Sequence, residues 1–189
     1  MITIHFDINT EERDKCQQFA LTSVNTNIDK YKERGQTNVD NIVRQIRQGK
    51  LVEYAISYWL KVDLQIPCSN PDIKIYNKNQ KKFDVDLSCE LGPINVKTFQ
   101  TNDYYPASWL FQKEDKLLSG CSPIELIALT EVNKNETKVI MHGFTLLKPL
   151  IKYLKLPVKR ELQSNKTVLY LKDITREQDL WLQQIYTKL

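Results

Sequence analysis

Asp84 and Asp86 stand two apart in Phe83-Asp84-Val85-Asp86-Leu87-Ser88, and Asn95 and Lys97 stand two apart in Ile94-Asn95-Val96-Lys97-Thr98. Both stretches alternate apolar and polar residues with the period of a half-buried strand. Glu90-Leu91-Gly92-Pro93 between them is turn-type sequence, so the pattern predicts an antiparallel hairpin. Side chains two apart share a face. If the apolar faces of the two strands coincide, two carboxylates, an amide and an ammonium gather on one surface. That set suits metal-assisted hydrolysis of a phosphodiester, in which hard oxygens hold Mg²⁺, with Mn²⁺ as a substitute, and a cation offsets developing charge. Asp86, with Asp84 as the alternative, supplies the carboxylate in such a site. The Val96 carbonyl is a candidate backbone ligand, and Lys97 is placed to orient the water or offset the charge.

A further carboxylate comes from upstream. Leu51, Val52, Ala55, Ile56, Trp59 and Leu60 write a strong apolar stripe at helical spacing, and Glu53 falls at its edge, close to Leu60 in projection. There it can be held half-buried beside a sheet; a glutamate at a helix edge is otherwise an ordinary solvated side chain. The same helical region starts near Thr37-Asn38, with Val39, Ile42, Val43 and Ile46 on one face and Arg44, Arg47 and Lys50 away from it. Before it, Asn9 reads as a helix N-cap with Glu12 as its capping-box partner, and Gly35 ends that first helix.

The rest of the chain reads as strands and turns around the hairpin. Residues 2–8 suit a first strand, Asp72–Tyr76 another, and Ser108–Gln112 a strand with an aromatic face. Ile124–Val132 and Lys138–Phe144 are two more, joined by the turn Asn133-Lys134-Asn135-Glu136. Leu146–Leu156 has helical spacing and stops at Pro157, Thr167–Leu171 is a last strand, and Thr175 caps a C-terminal helix. Lys74, Lys78, Lys81 and Lys82 cluster before the hairpin, as a phosphate-facing patch or a solvated turn. The expectation is a single α+β domain over residues 1–189, with a central mixed β-sheet flanked by helices.

Composition narrows the chemistry. A chain of 189 residues with 41% hydrophobic and 26% charged content is an ordinary globular composition. A net charge of +4 permits a polyanionic partner without demanding one. No apolar run is long enough for a membrane span and the N-terminus alternates like a strand rather than a signal peptide, so a cytoplasmic protein with no membrane partner is expected. The four cysteines have no CxxC spacing and read as reduced thiols, not a zinc site. The two histidines, His5 and His142, are too few for a histidine-rich metal site and sit in no nucleophile motif.

Glu53 on an early helix, then Asp84-Val85-Asp86-Leu87, then Asn95-Val96-Lys97-Thr98, resembles the PD-(D/E)xK nuclease superfamily, which includes many type II restriction endonucleases. The resemblance covers roughly residues 49–112. It implies a restriction-endonuclease-like core of a helix, a three-stranded meander, a helix and another strand. It implies Asp86 as the aspartate (Asp84 as the alternative), Lys97 as the lysine and Glu53 as the helix glutamate. The sequence departs from the pattern at Asn95, which stands where the family has an acid, and at Val85, which replaces a proline. An amide oxygen can still ligate, so the implied metal ligands are Asp86, Glu53, Asn95 and the Val96 carbonyl. The implied activity is Mg²⁺-dependent endonuclease cleavage of double-stranded DNA by a homodimer, as in a small restriction or phage-type enzyme, with a junction-resolving or repair nuclease as a nearby alternative. Lys81, Lys82, Tyr104 and Tyr105 are then candidate DNA contacts. A catalytically decayed module of the same fold, binding nucleic acid or protein, is the alternative that Asn95 favours.

Overall fold

Asn9 and Asn38 each start a helix by the same device: the Asn9 Oδ1 accepts from the Glu12 N–H at 2.8 Å, and the Asn38 Oδ1 from the Asn41 N–H at 2.9 Å. The computed structural model describes residues 2–5, 9–33, 35–76, 85–100, 104–113, 118, 120 and 122–174. After β1 (Ile2–His5) come α1 (Thr10–Glu33) and α2 (Val39–Tyr58). Gly35, at φ +72°, follows the end of α1 in the left-handed conformation that suits glycine. α2 runs unbroken through Gly49 and passes into a π-helical turn, Trp59–Asp63.

The strands follow as β2 (Leu87–Cys89), β3 (Gly92–Gln100), β4 (Ser108–Gln112), β5 (Leu126–Val132), β6 (Lys138–Leu146) and β7 (Lys166–Tyr170), with one helical turn, α3 (Leu171–Ile174), after them. Five strands form a mixed sheet in the order β1-β6-β5-β3-β2, in which only β3 and β5 are parallel. β4 and β7 pair antiparallel as a separate ribbon. The layout is thus α+β with a mixed sheet.

β5 explains the layering. Its residues alternate between two cores, with Ala128 and Val132 in one and Ile127 and Leu129 in the other, so the strand is buried on both faces. On the first face α2 lays down Leu51, Val52 and Ile56, and the π-helical turn Leu60, against Ile94, Met141 and Phe144. On the second, the ribbon lays down Trp109, Phe111 and Leu169, and the Trp109 indole N–H donates to the Thr130 carbonyl at 2.8 Å. Each of these large side chains, fully buried, contributes on the order of 2 kcal/mol.

Three expected elements differ. Residues 72–76 form no strand, and the Asp72 carboxylate instead accepts from the Lys74 N–H within the segment. After β6 the chain makes only a 3₁₀ segment, Lys148–Tyr153, rather than a helix to Leu156. The cause is tertiary: the Lys155 N–H and carbonyl both bond to Val168 of β7, at 2.9 Å each, and this pulls the backbone out of helical conformation. β2 starts at Leu87 rather than Phe83 within the described residues, because Asp86 is in a bend. The C-terminal helix expected after Thr175 lies outside the described residues.

Candidate carboxylate site and groove

The hairpin forms in the register Leu87↔Ile94, Ser88↔Pro93 and Cys89↔Gly92. β2 therefore covers only the start of β3. Among the described residues, no strand pairs with the outer edge of β3 beyond Ile94. Asp86 takes the first position on that open edge: its Oδ2 accepts from the Val96 N–H at 2.8 Å. In an extended strand the N–H and carbonyl of one residue point to the same side, so the Val96 carbonyl faces the same edge.

Glu53 approaches from α2. It is 5% exposed, because the stripe that includes Leu51, Val52, Ala55 and Ile56 presses this side of the helix onto the sheet. Burial and then the neighbouring Asp86 carboxylate push its pKa up to about 8, against the opposing pull of Lys50. The Lys50 ammonium donates to the Glu53 Oε2 at 2.7 Å and stands 5.4 Å from the centre of the Phe19 ring. Asp72 adds a weaker repulsion to Glu53. Although burial opposes it, the Asp72 carboxyl is held below its usual range by the Tyr76 hydroxyl and the Lys74 N–H, at 2.6 and 2.9 Å. Sequence reasoning did not single out Lys50 or Asp72 for this site.

The amide and ammonium of β3 go elsewhere. Ile94 and Val96 pack in the α2-side core, so Asn95 and Lys97 leave the strand on the opposite face. The Asn95 Nδ2 donates to the Glu125 Oε1 at 2.9 Å. The Lys97 Nζ stands 5.5 Å from the centre of the Phe111 ring. The structure thus brings Glu53 near enough to Asp86 to feel its charge and separates both Asn95 and Lys97 from them on the opposite face of β3, rather than gathering all the groups on one surface. Asp84, Lys81 and Lys82 lie outside the described residues.

Beyond Lys97 the open edge borders a groove of about 780 Å³. Its floor is Lys97–Gln100 of β3, and one wall is the N-terminal half of α2, with Asn41, Arg44 and Gln48. The other wall is the outer face of the ribbon, with Ser108, Leu110, Lys166 and Tyr170, continued by Pro157–Lys159. Arg44, Lys97, Lys159 and Lys166 line it, and no acidic residue does among the described residues. In a chain with 27 basic and 23 acidic residues, that one-sided lining is a local feature and not a reflection of composition. Tyr105 lines the groove and is 52% exposed; Tyr104 is 89% exposed and lies outside it. Lys159 and Lys166 carried no signal in the sequence, since they reach the groove from a segment far beyond β3 along the chain.

His142 is structural, as its lack of a motif suggests. The β5–β6 register skips it at a bulge, and its Nε2 meets the Glu131 Oε2 at 2.7 Å while the ring stacks on Phe99. The side chain of His5 lies outside the described residues. Among the described residues, no three His, Cys, Asp or Glu side chains converge as a metal shell. No helix among them is long and apolar enough to cross a membrane. No family model matches this chain, and no curated protein or solved structure matches it.

Proposed function

We propose that the protein is a metal-dependent endonuclease that hydrolyses DNA phosphodiester bonds, with a restriction-endonuclease-like core acting as a homodimer on a two-fold target. The observation that carries this reading is the Glu53–Asp86 carboxylate pair on the open edge of β3, one residue from Lys97. A buried Glu53 that feels the charge of a second carboxylate, Asp86, favours a hard divalent cation, and the donor set of Glu53, Asp86 and the Val96 carbonyl suits Mg²⁺ or Mn²⁺ with waters completing the shell. The chemistry such a cation supplies is polarisation of a phosphoryl oxygen and a lowered pKa for an attacking water.

The chain's own residues do the rest. Asp86 is held at β3 by the Val96 N–H through one carboxylate oxygen, which leaves the other to ligate. Lys50 holds Glu53 and partly offsets the charge of the pair. Lys97, on the floor of the cationic groove, balances charge developing on a phosphate lying there. Asn95, committed to Glu125, serves the hairpin and is not a ligand in this scheme. A cytoplasmic setting suits the free thiols of Cys16, Cys68 and Cys89.

The same observations favour a second reading at one point. The Lys50–Glu53 ion pair at 2.7 Å already gives that carboxylate a cation, as in a binding module that has lost catalysis. Plasmid and phage DNA incubated with Mg²⁺ or Mn²⁺ separates the two. Wild type yields metal-dependent cleavage, which falls at least ~100-fold in Asp86→Ala and in Lys97→Ala. Wild type as inert as both variants overturns the nuclease reading and leaves the binding module.

A further inference from the structure

We propose that the groove along β3 holds a single-stranded segment of nucleic acid, with its phosphates towards Arg44, Lys159 and Lys166 and a base stacked on Tyr105. The proposal takes its ligand class from the nuclease reading, but binding in this groove needs neither carboxylate nor metal.

Three features point to one strand and not a duplex. First, the lining is cationic with no acid among the described residues, and its cations come from four separate segments: α2, β3, the stretch after Pro157, and β7. A backbone laid along the groove meets them in succession, which is how a polyanion is followed. Secondly, an aromatic ring stands among the cations: Tyr105 is half exposed and lines the same groove. A duplex turns its base faces inward and offers only phosphates to such a surface, whereas an unpaired base can lie on the ring. Thirdly, the N-terminus of the 20-residue α2 borders the groove through Asn38 and Asn41, adding the positive end of the helix dipole to a wall already cationic.

The groove and the carboxylates are built on the same two elements: Gln48 of the groove wall and Glu53 lie on α2, and Lys97 of the groove floor follows Val96, the partner of Asp86, in β3.

Full-length protein in EDTA, titrated against a fluorescein-labelled mixed-sequence 12-mer and its duplex at several salt concentrations, tests this. Wild type is expected to bind the single strand at least tenfold more tightly than the duplex. Arg44→Ala/Lys159→Ala/Lys166→Ala lowers the slope of log K against log[salt] by about 2, at ~0.7 per lost phosphate contact. Tyr105→Ala weakens binding about tenfold with the slope unchanged. Arg44 and Lys159 are exposed and Lys166 is half-buried, and an unchanged melting temperature confirms that the triple variant is folded. Duplex bound as well as single strand, a triple variant with the wild-type slope, or no binding at all overturns the proposal. So does poly-glutamate displacing the 12-mer charge for charge, which would mark an acidic protein partner instead. Because the titration omits metal, its outcome is separate from that of the cleavage assay.

Discussion

At Val96 the open edge of β3 meets two carboxylates beneath a helix, whereas from Lys97 towards Gln100 the same edge meets cations in an open groove. The two ends differ in solvent as well as in sign. Glu53 is almost wholly buried, so its charge is weakly screened and its pKa rises to about 8. Arg44 and Lys159 are exposed, so their charges are hydrated and act over a Debye length that salt shortens. A buried carboxyl beside a half-buried carboxylate suits a compact cation at one point, and a hydrated cationic groove suits a long polyanion at many. One strand edge can hold both because, among the described residues, β2 begins only at Leu87, opposite Ile94, and no strand pairs with that edge of β3 further on.

The largest expected effect is at the anionic end. Glu53 titrates near 8 in the fold, against an ordinary value of 4.5. Between those values the native state keeps a proton that the unfolded chain has lost, so the stability that this group contributes is full below about pH 4.5 and is lost as pH rises through about 8. Thermal melts of wild type should fall across that window, and Glu53→Gln should flatten the fall. Excess Mg²⁺ should restore wild type at pH 8.5 and leave the variant unmoved. Equal pH slopes in the two proteins would remove the electrostatic contrast between the ends.

A backbone change should separate the ends next. Gly92 turns the hairpin at φ +136°, and an added Cβ would stand 2.5 Å from the Ile124 carbonyl oxygen. Gly92→Ala should lose about 2 kcal/mol or more in urea unfolding and shift Asp86 with β2. Its Mg²⁺ stabilisation should weaken while oligonucleotide binding in EDTA holds. The smallest effect belongs to the opposite end. Asn38→Ala removes the cap of α2 at the groove, and about 1 kcal/mol of stability should go with it. Oligonucleotide affinity should drop and the Mg²⁺ response should not. If either variant damages both functions equally, the two ends act as one site.

Much of the fold was legible in local pattern. The caps at Asn9 and Asn38, the hairpin around Gly92, and strands β4, β5, β6 and β7 all depend on residues within a few positions of one another. The 3₁₀ segment after β6 was not legible, because Lys155 is drawn to Val168, thirteen residues away. At the site, the alternation correctly put Asn95 and Lys97 on one face, but Asp86 left the strand pattern by turning its carboxylate to the Val96 N–H.

The sequence by itself determined the two long helices and most of the strands, and it put Glu53 on α2 and Lys97 on β3, because periodicity and capping are local and each residue carries its own part of the signal. Only the tertiary structure decided what each of them meets. α2 had to dock on the sheet before Glu53 lost its water and felt Asp86. β5 had to pair with β3 before Asn95 found Glu125. The β4–β7 ribbon had to fold back before Lys159 and Lys166 faced Arg44 across a groove. Burial and field are sums over neighbours distant in sequence, and no spacing along the chain encodes them.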